Sequence, residues 1–250
     1  MKILVAVKHA VEYRHTLRIS VTGGGGEQAH LERAINPYDE VALEMALQLR
    51  ERGRAGSVTT LTIGQPDALD TCYTALAMGA DRAIHVPGPA ELSPLAVARL
   101  LRQAAQQETP DLILTGRQSA TGDHGQTGAM LAALLDWPQA TAATSILVRP
   151  DRLRVTRRIE HGTELLELVP PAVITCDVLM ATPRYVTAPH YNKARQMPVE
   201  TLDLDVDAAA LAAGVVPEDA FAPPGRPPAR TTRDPAELVR WLRDSTTVLD

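Results

Sequence analysis

The stretch ATGDHGQTGAMLAALL, residues 120–135, gathers Gly122, Gly125 and Gly128 with Asp123, His124, Gln126 and Thr127 just ahead of an apolar helical run. A loop of this kind delivers backbone N–H groups to the positive end of a helix, which is a ready seat for a phosphate. It is not a Walker A loop, because no Gly-Lys-Ser/Thr follows, and it is not a GxGxxG turn opening after the first strand. Spacing alone leaves a second reading open: a tight strand-to-helix turn with ordinary capping by Asp123 or Thr127. The four glycines at 23–26 follow polar residues and lead into no strand-anchored helix, so they read as a hairpin tip.

Little else in the chain suggests chemistry. His9, His15, His30, His85, His124, His161 and His190 are scattered, with no metal-ligand spacing, so no metal site is expected. Arg149, Arg152, Arg154, Arg157 and Arg158 alternate with Leu153 and Val155, as on a solvated strand face. No Ser/His/Asp or Cys/His set and no paired carboxylates stand out. That absence favours a binding or carrier role over a self-contained enzyme.

The elements that must position the loop are legible. ILVAV (3–7), VTTLTI (58–63), AIHV (83–86), LILTG (112–116) and AVITC (172–176) are short buried-strand patterns. Asn36-Pro37 and Ser93-Pro94 open the helical runs that follow them, each pairing an N-cap residue with proline at the first helical position. Strand and helix in alternation imply an α/β fold with a doubly wound, mostly parallel sheet. Ligands in such sheets bind beyond the carboxyl ends of the strands. Three loops would meet there: the one after the first strand (Lys8, His9), the one after the second (Gly64, Gln65) and the glycine loop. RLRVTRRIEHGTELLELV adds an antiparallel hairpin turning at Glu160, His161 and Gly162. A division is expected at residue 198. Residues 199–250 form an acidic, proline-rich, extended C-terminal arm ending in a short helix after Asp234 and Pro235, whose Val239, Trp241 and Leu242 would dock on a partner.

Composition narrows the partners. With 25 basic and 30 acidic residues the net charge is −5, which offers no electrostatic footprint for nucleic acid or an anionic membrane. No segment approaches the ~20 apolar residues of a membrane helix, and the five-residue run after Lys2 is too short for a signal-peptide core. Cys72 and Cys176 form no disulfide framework, so a reducing, cytoplasmic setting is expected.

Taken in order, MKILVAVKHAVEYRHTLRI, INPYDEVALEMALQLRE, AMGADRAIHV, PLAVARLL, PDLILTGRQ, GDHGQTGAMLAALLDWPQAT and RYVTAPHYNKA resemble the β subunit of electron transfer flavoprotein over most of the chain. The resemblance implies an adenine nucleotide α-hydrolase-like fold, a bound AMP, and a heterodimer with an α subunit whose FAD domain this chain would cradle. Electrons would pass from flavin dehydrogenases to a quinone oxidoreductase. It also implies a nucleotide site made of Ala6, Lys8, Asn36, Asp39, Ile63, Gly64 and the run Asp123, His124, Gly125, Gln126, Thr127, Gly128, Ala129 and Met130. In that site the amides of residues 126–129 would hold the phosphate. Tyr13 and Tyr38 match positions near the α-subunit flavin.

RYVTAPHYNKA matches a loop that recognises dehydrogenases, through Ala188, Pro189, Tyr191 and Lys193. Ala188 stands where a leucine anchor is usual, which leaves two readings: a different dehydrogenase, or anchoring by Tyr191. GRQ followed by GD is similar to bifurcating members, which bind a second FAD in place of AMP and use NADH. Glu12-Tyr13, Gln126-Thr127 and RYVTAP follow the ordinary type, and AMP is the expectation. A free-standing adenine-nucleotide enzyme or binding module on the same sheet is the rival from another class. SGGxDS and HxGH, which such enzymes carry, are absent from the chain.

Overall fold

The computed structural model describes residues 1–11, 32–89, 92–204, 225–226 and 228–245. Tyr13, the glycine run at 23–26 and half of the arm lie outside the described residues. In chain order the elements are β1 (Lys2–Ala6), β2 (His9–Val11), β3 (Arg33–Ile35), α1 (Pro37–Glu51), β4 (Ser57–Gly64), α2 (Leu69–Met78), β5 (Arg82–Pro87), α3 (Pro94–Glu108) and β6 (Leu112–Gly116). Then follow α4 (Thr127–Leu135), β7 (Gln139–Val148), β8 (Leu153–Ile159), β9 (Gly162–Leu168), β10 (Ala172–Cys176), α5 (Ala188–Ala194) and β11 (Glu200–Thr201). A further helix, α6 (Pro235–Ser245), belongs to a separate compact unit.

The main sheet runs β11-β5-β4-β1-β6-β10-β7-β8-β9. It is parallel from β11 to β7, and β8 and β9 are antiparallel. The central strands are apolar on both faces because both faces are covered. Ile3 and Val5 of β1 join Leu43, Leu47 and Leu114 in one cluster with α1, while Leu4, between them, joins Leu101, Ile113 and Leu131 in a second cluster with α3 and α4. This is the doubly wound α/β arrangement expected from the alternation of strands and helices. The chain leaves β1 toward β4 on one side and returns to β6 on the other, so winding reverses at β1. Ser93 caps α3 as expected, its Oγ accepting from the Ala96 amide at 3.2 Å.

Three features go beyond the sequence reading. β7 has no counterpart in it, because a bulge puts Ala142 at φ 54° and the residues buried are Ala140, Ala143 and Ile146, three apart rather than two. β2 and β3 form a separate antiparallel ribbon, His9 opposite Ile35. β11 extends the sheet past residue 198, where the composition changes: Glu200 and Thr201 pair with β5, and Leu204 is buried beside Ile84 and Val86.

Three of the hairpin arginines pair with carboxylates across the ribbon. Arg152 and Arg154 each reach Glu167 at 2.9 Å, and Arg157 reaches Glu164 at 2.6 Å. Such exposed pairs contribute little to stability. In the arm unit, Asp234 Oδ1 accepts from the Ala236 amide at 2.9 Å at the start of α6. The Arg230 guanidinium lies 4.1 Å from the Trp241 ring centre, and Leu238 and Val239 are exposed.

The segment after β10 is tied to α1 by one buried carboxylate. Glu44 accepts from the Arg184 side chain at 2.8 and 3.1 Å and from its backbone amide at 3.2 Å. Arg184 also reaches Glu51 at 2.8 Å. These bonds overcome burial and hold the Glu44 carboxyl below its ordinary pKa. Arg184→Ala would leave a buried charge with only Gln48 and the backbone amide of residue 184 as partners. The expected loss in urea denaturation is about 2 kcal/mol, below the ~3–5 kcal/mol of a fully buried pair because Arg184 is partly exposed. An unchanged midpoint and slope would show that the tie contributes nothing.

Candidate functional site

Beyond the carboxyl ends of β1, β4 and β6, at the reversal of winding, lies a cleft of about 180 Å³. Its floor is built by the first turn of α1. Asp39 is buried and accepts from the Lys8 amide at 2.8 Å and the Gly116 amide at 2.7 Å, joining the ends of β1 and β6. Asn36 occupies the N-cap position of α1, but its side chain caps no helix amide. It donates to the Gln118 carbonyl at 2.9 Å and accepts from the Ala120 amide at 3.1 Å. Gly116 is required there, since a Cβ would collide with Asp39 Oδ1 and lie 2.6 Å from Tyr38 Cβ.

Burial pushes the Asp39 carboxyl up to about 6, against the lowering effect of its hydrogen bonds. Cys176 lies close enough to Asp39 for that charge to add to burial in raising its thiol pKa, and burial pushes Cys72 up to about 11. Both thiols are therefore protonated and unreactive at neutral pH.

The glycine loop is held by its own polar residues. The Ser119 hydroxyl accepts from the Gly122 amide at 3.0 Å, its carbonyl accepts from the Asp123 amide at 3.0 Å, and the Gln118 side chain donates to the Asp123 carboxylate. Gly125, at φ 61°, turns the chain into α4. Gly128 lets that helix rest directly on β10, because a Cβ would overlap the Thr175 side chain. The first-turn amides of Thr127, Gly128 and Ala129 have no intrahelical acceptor by helix geometry, and they form the positive end of α4. The same cleft is lined by the apolar side chains of Leu61, Ile63, Leu92, Val97 and Leu101. An anion seat in one cleft with an apolar slot fits a phosphorylated molecule with a flat, weakly polar body.

Ala6, Lys8, Asn36, Asp39, Ile63, His124, Gly125, Gln126, Thr127 and Gly128 all line this one cleft. Gly64, Asp123, Ala129 and Met130 are not part of its lining. The Gly64 carbonyl accepts from His85 Nε2 at 3.0 Å and from the Gly88 amide at 3.1 Å. Tyr38 is half-buried beside Gly116, and Tyr13 lies outside the described residues. His9 is not part of the lining either: it is buried, with Nδ1 2.9 Å from Thr71 Oγ1, and burial lowers its pKa.

Ala188, Pro189 and Lys193 are exposed on α5, whereas Tyr191 is half-buried and its hydroxyl donates to Asp70 at 3.2 Å. Sequence reasoning missed Thr115, Gln118 and Ser119 as part of the cleft, although the polar pair Gln118-Ser119 between two glycines was a signal. Val97 and Leu101 of α3 also belong to the cleft wall.

Fold and site thus define a doubly wound α/β protein with a cleft at its switch point, bordered by the N-terminal end of α4. The electron transfer flavoprotein domain model matches residues 27–207. The chain is 40% identical to the electron transfer flavoprotein subunit beta of Bradyrhizobium diazoefficiens, with both chains covered completely. It is 41% identical to the mitochondrial subunit beta of Oryza sativa subsp. japonica, again over the whole of both, and 38% identical to the human subunit beta over 98% of this chain and 97% of that one. The chain belongs to the electron transfer flavoprotein family, among its β subunits.

Asp39 gives a pH signature. Its folded pKa lies above the ordinary value of 3.8, so its contribution is most favourable below about pH 4 and is lost as pH rises through 6. The unfolding free energy of the native chain minus that of Asp39→Asn should fall by roughly 2–3 kcal/mol between pH 4 and 7. A flat difference would show that Asp39 titrates normally.

Proposed function

We propose that this chain is an electron-carrier subunit that binds AMP in the cleft and, as a heterodimer with an α subunit, cradles that subunit's FAD domain. The observation that carries the reading is the free-amide end of α4 in one cleft with an apolar slot at the switch point, in a chain matched along its whole length by β subunits. The amides of Gln126, Thr127, Gly128 and Ala129 would hold the phosphate, the first three belonging to residues that line the cleft, with Lys8 and His124 at the cleft and Leu61, Ile63 and Val97 against the base. Asn36 and Asp39 would act by holding the loops, since their side chains are spent on backbone groups. Bound FAD supplies the redox chemistry, and this chain supplies binding and orientation. Tyr13 and Tyr38 would face that flavin.

Electrons would enter from flavin dehydrogenases recognised through Ala188, Pro189, Tyr191 and Lys193 on α5, and leave to a quinone oxidoreductase. The half-buried Tyr191 is fixed against α2 through Asp70. The exposed apolar residues of α6 suit docking on the α subunit. Buried free thiols suit a reducing compartment, and we place the pair in the cytoplasm. Among the described residues no helix is long and apolar enough to cross a membrane, and the net charge of −5 suits no nucleic-acid partner.

Co-expression with the α subunit, denaturation of the purified complex and chromatographic counting of released nucleotides test this. One AMP and one FAD per heterodimer are expected. Two FAD and no AMP would replace the reading with that of a bifurcating subunit using NADH.

A further inference from the structure

A buried carboxylate shares the cleft with the proposed anion seat. Among the described residues that line the cleft, Asp39 is the one carboxylate, and it stands in that lining with Gln126, Thr127 and Gly128 at the positive end of α4. It cannot turn away from a ligand. Its Oδ2 accepts from the Lys8 amide at 2.8 Å and its Oδ1 from the Gly116 amide at 2.7 Å, so backbone groups hold both oxygens. At 6% exposure its charge receives little screening from water.

The groups around Asp39 leave it one free cation to share among the described residues of the cleft. Lys8, at the end of β1, acts on it by charge as well as through its amide. Arg117, after β6, lines the cleft but pairs with Asp177 at 3.1 Å. Cys176 on β10 stays a neutral thiol, because burial and the Asp39 charge both raise its pKa. His124 enters from the glycine loop, and Tyr38 precedes Asp39 on α1. A phosphate dianion arriving here competes with Asp39 for Lys8 and repels the carboxylate through a poorly screening medium. Burial already holds the Asp39 carboxyl up at about 6, and a second negative charge nearby moves it further the same way.

We infer, resting on the AMP reading above, that filling the cleft with a nucleoside monophosphate is coupled to proton uptake at Asp39. The ligand binds as the dianion, and the protein gains the proton that offsets part of its charge. A carboxyl titrating at about 6 is roughly one-tenth protonated at pH 7, and a tenfold gain in proton affinity on AMP binding makes it about half protonated. The phosphate moves the other way: its second pKa of about 6 leaves ~10% of it monoprotonated at pH 7, and binding as the dianion releases that fraction. The net expectation is an uptake of ~0.3 proton per AMP.

The heterodimer, freed of nucleotide, is titrated with AMP by isothermal calorimetry at pH 7 in two non-phosphate buffers of different ionisation enthalpy; the difference in heat gives the proton number. The native complex should take up protons, Asp39→Asn should lose the uptake, and His124→Gln should keep it even where its affinity falls. Net release, or no exchange, in the native complex overturns the coupling. Uptake unchanged in Asp39→Asn overturns it as well, and its disappearance in His124→Gln then assigns the proton to the imidazole, the other side chain of the lining that titrates in this range. Should Asp39→Asn fail to fold or to bind AMP, infrared difference spectra of the native complex with carboxyl-13C aspartate replace it. AMP must then produce a protonated-carboxyl band that the label shifts, and absence of that band overturns the coupling. A native complex that binds no AMP removes the AMP reading itself, an outcome distinct from AMP bound without a proton.

Discussion

A buried carboxylate at the start of α1 is the constraint on which the cleft depends. Asp39 holds the backbone amides of Lys8 and Gly116, and so fixes the spacing between the ends of two strands whose connections run in opposite directions. Asn36, one turn earlier, does the same for the loop after β6. Neither group caps a helix or pairs with a side-chain cation in these contacts. They replace water on backbone groups that the reversal of winding would otherwise leave unpaired, and a buried unpaired polar group costs ~1–3 kcal/mol. Burial raises the Asp39 pKa to about 6, so this bracing is obtained at some electrostatic cost near neutral pH.

With the strand ends fixed, the placement of α4 becomes a matter of contact distance. Gly128 brings the helix onto Thr175, and Gly116 brings β6 onto Asp39, so two absent Cβ atoms set the depth of the cleft. The positive end of α4 then shares the cleft with an apolar wall contributed by β4 and α3. The flavoprotein family membership gives this geometry its context: an electron carrier needs a rigid frame.

Much of this was legible in the sequence. Continuous apolar runs gave the parallel strands, because a strand covered on both faces needs no alternation, and Pro after Asn36 and Ser93 marked two helix starts. The glycine loop marked the start of α4 at the edge of the cleft. What stayed hidden was tertiary. The bulge at Ala142 replaced the two-residue period of β7 with a three-residue one. Asn36 looked like a cap, but its side chain bonds to residues more than eighty positions away. β11 was obscured by the acidic composition around it, and pairing of two residues leaves almost no periodic signal. Val97 and Leu101 carried the helical period of any core-facing helix, so nothing local distinguished a cleft wall from a core.

The most direct test of the central claim is a crystal structure of the heterodimer with its native nucleotide retained. The account predicts one AMP, its phosphate oxygens about 2.7–3.2 Å from the amides of Thr127 and Gly128, its base against Ile63 and Val97, and the Asp39 carboxylate still on Lys8 and Gly116 rather than on the ligand. A phosphate seated away from α4, or Asp39 turned to bind the nucleotide, would contradict it.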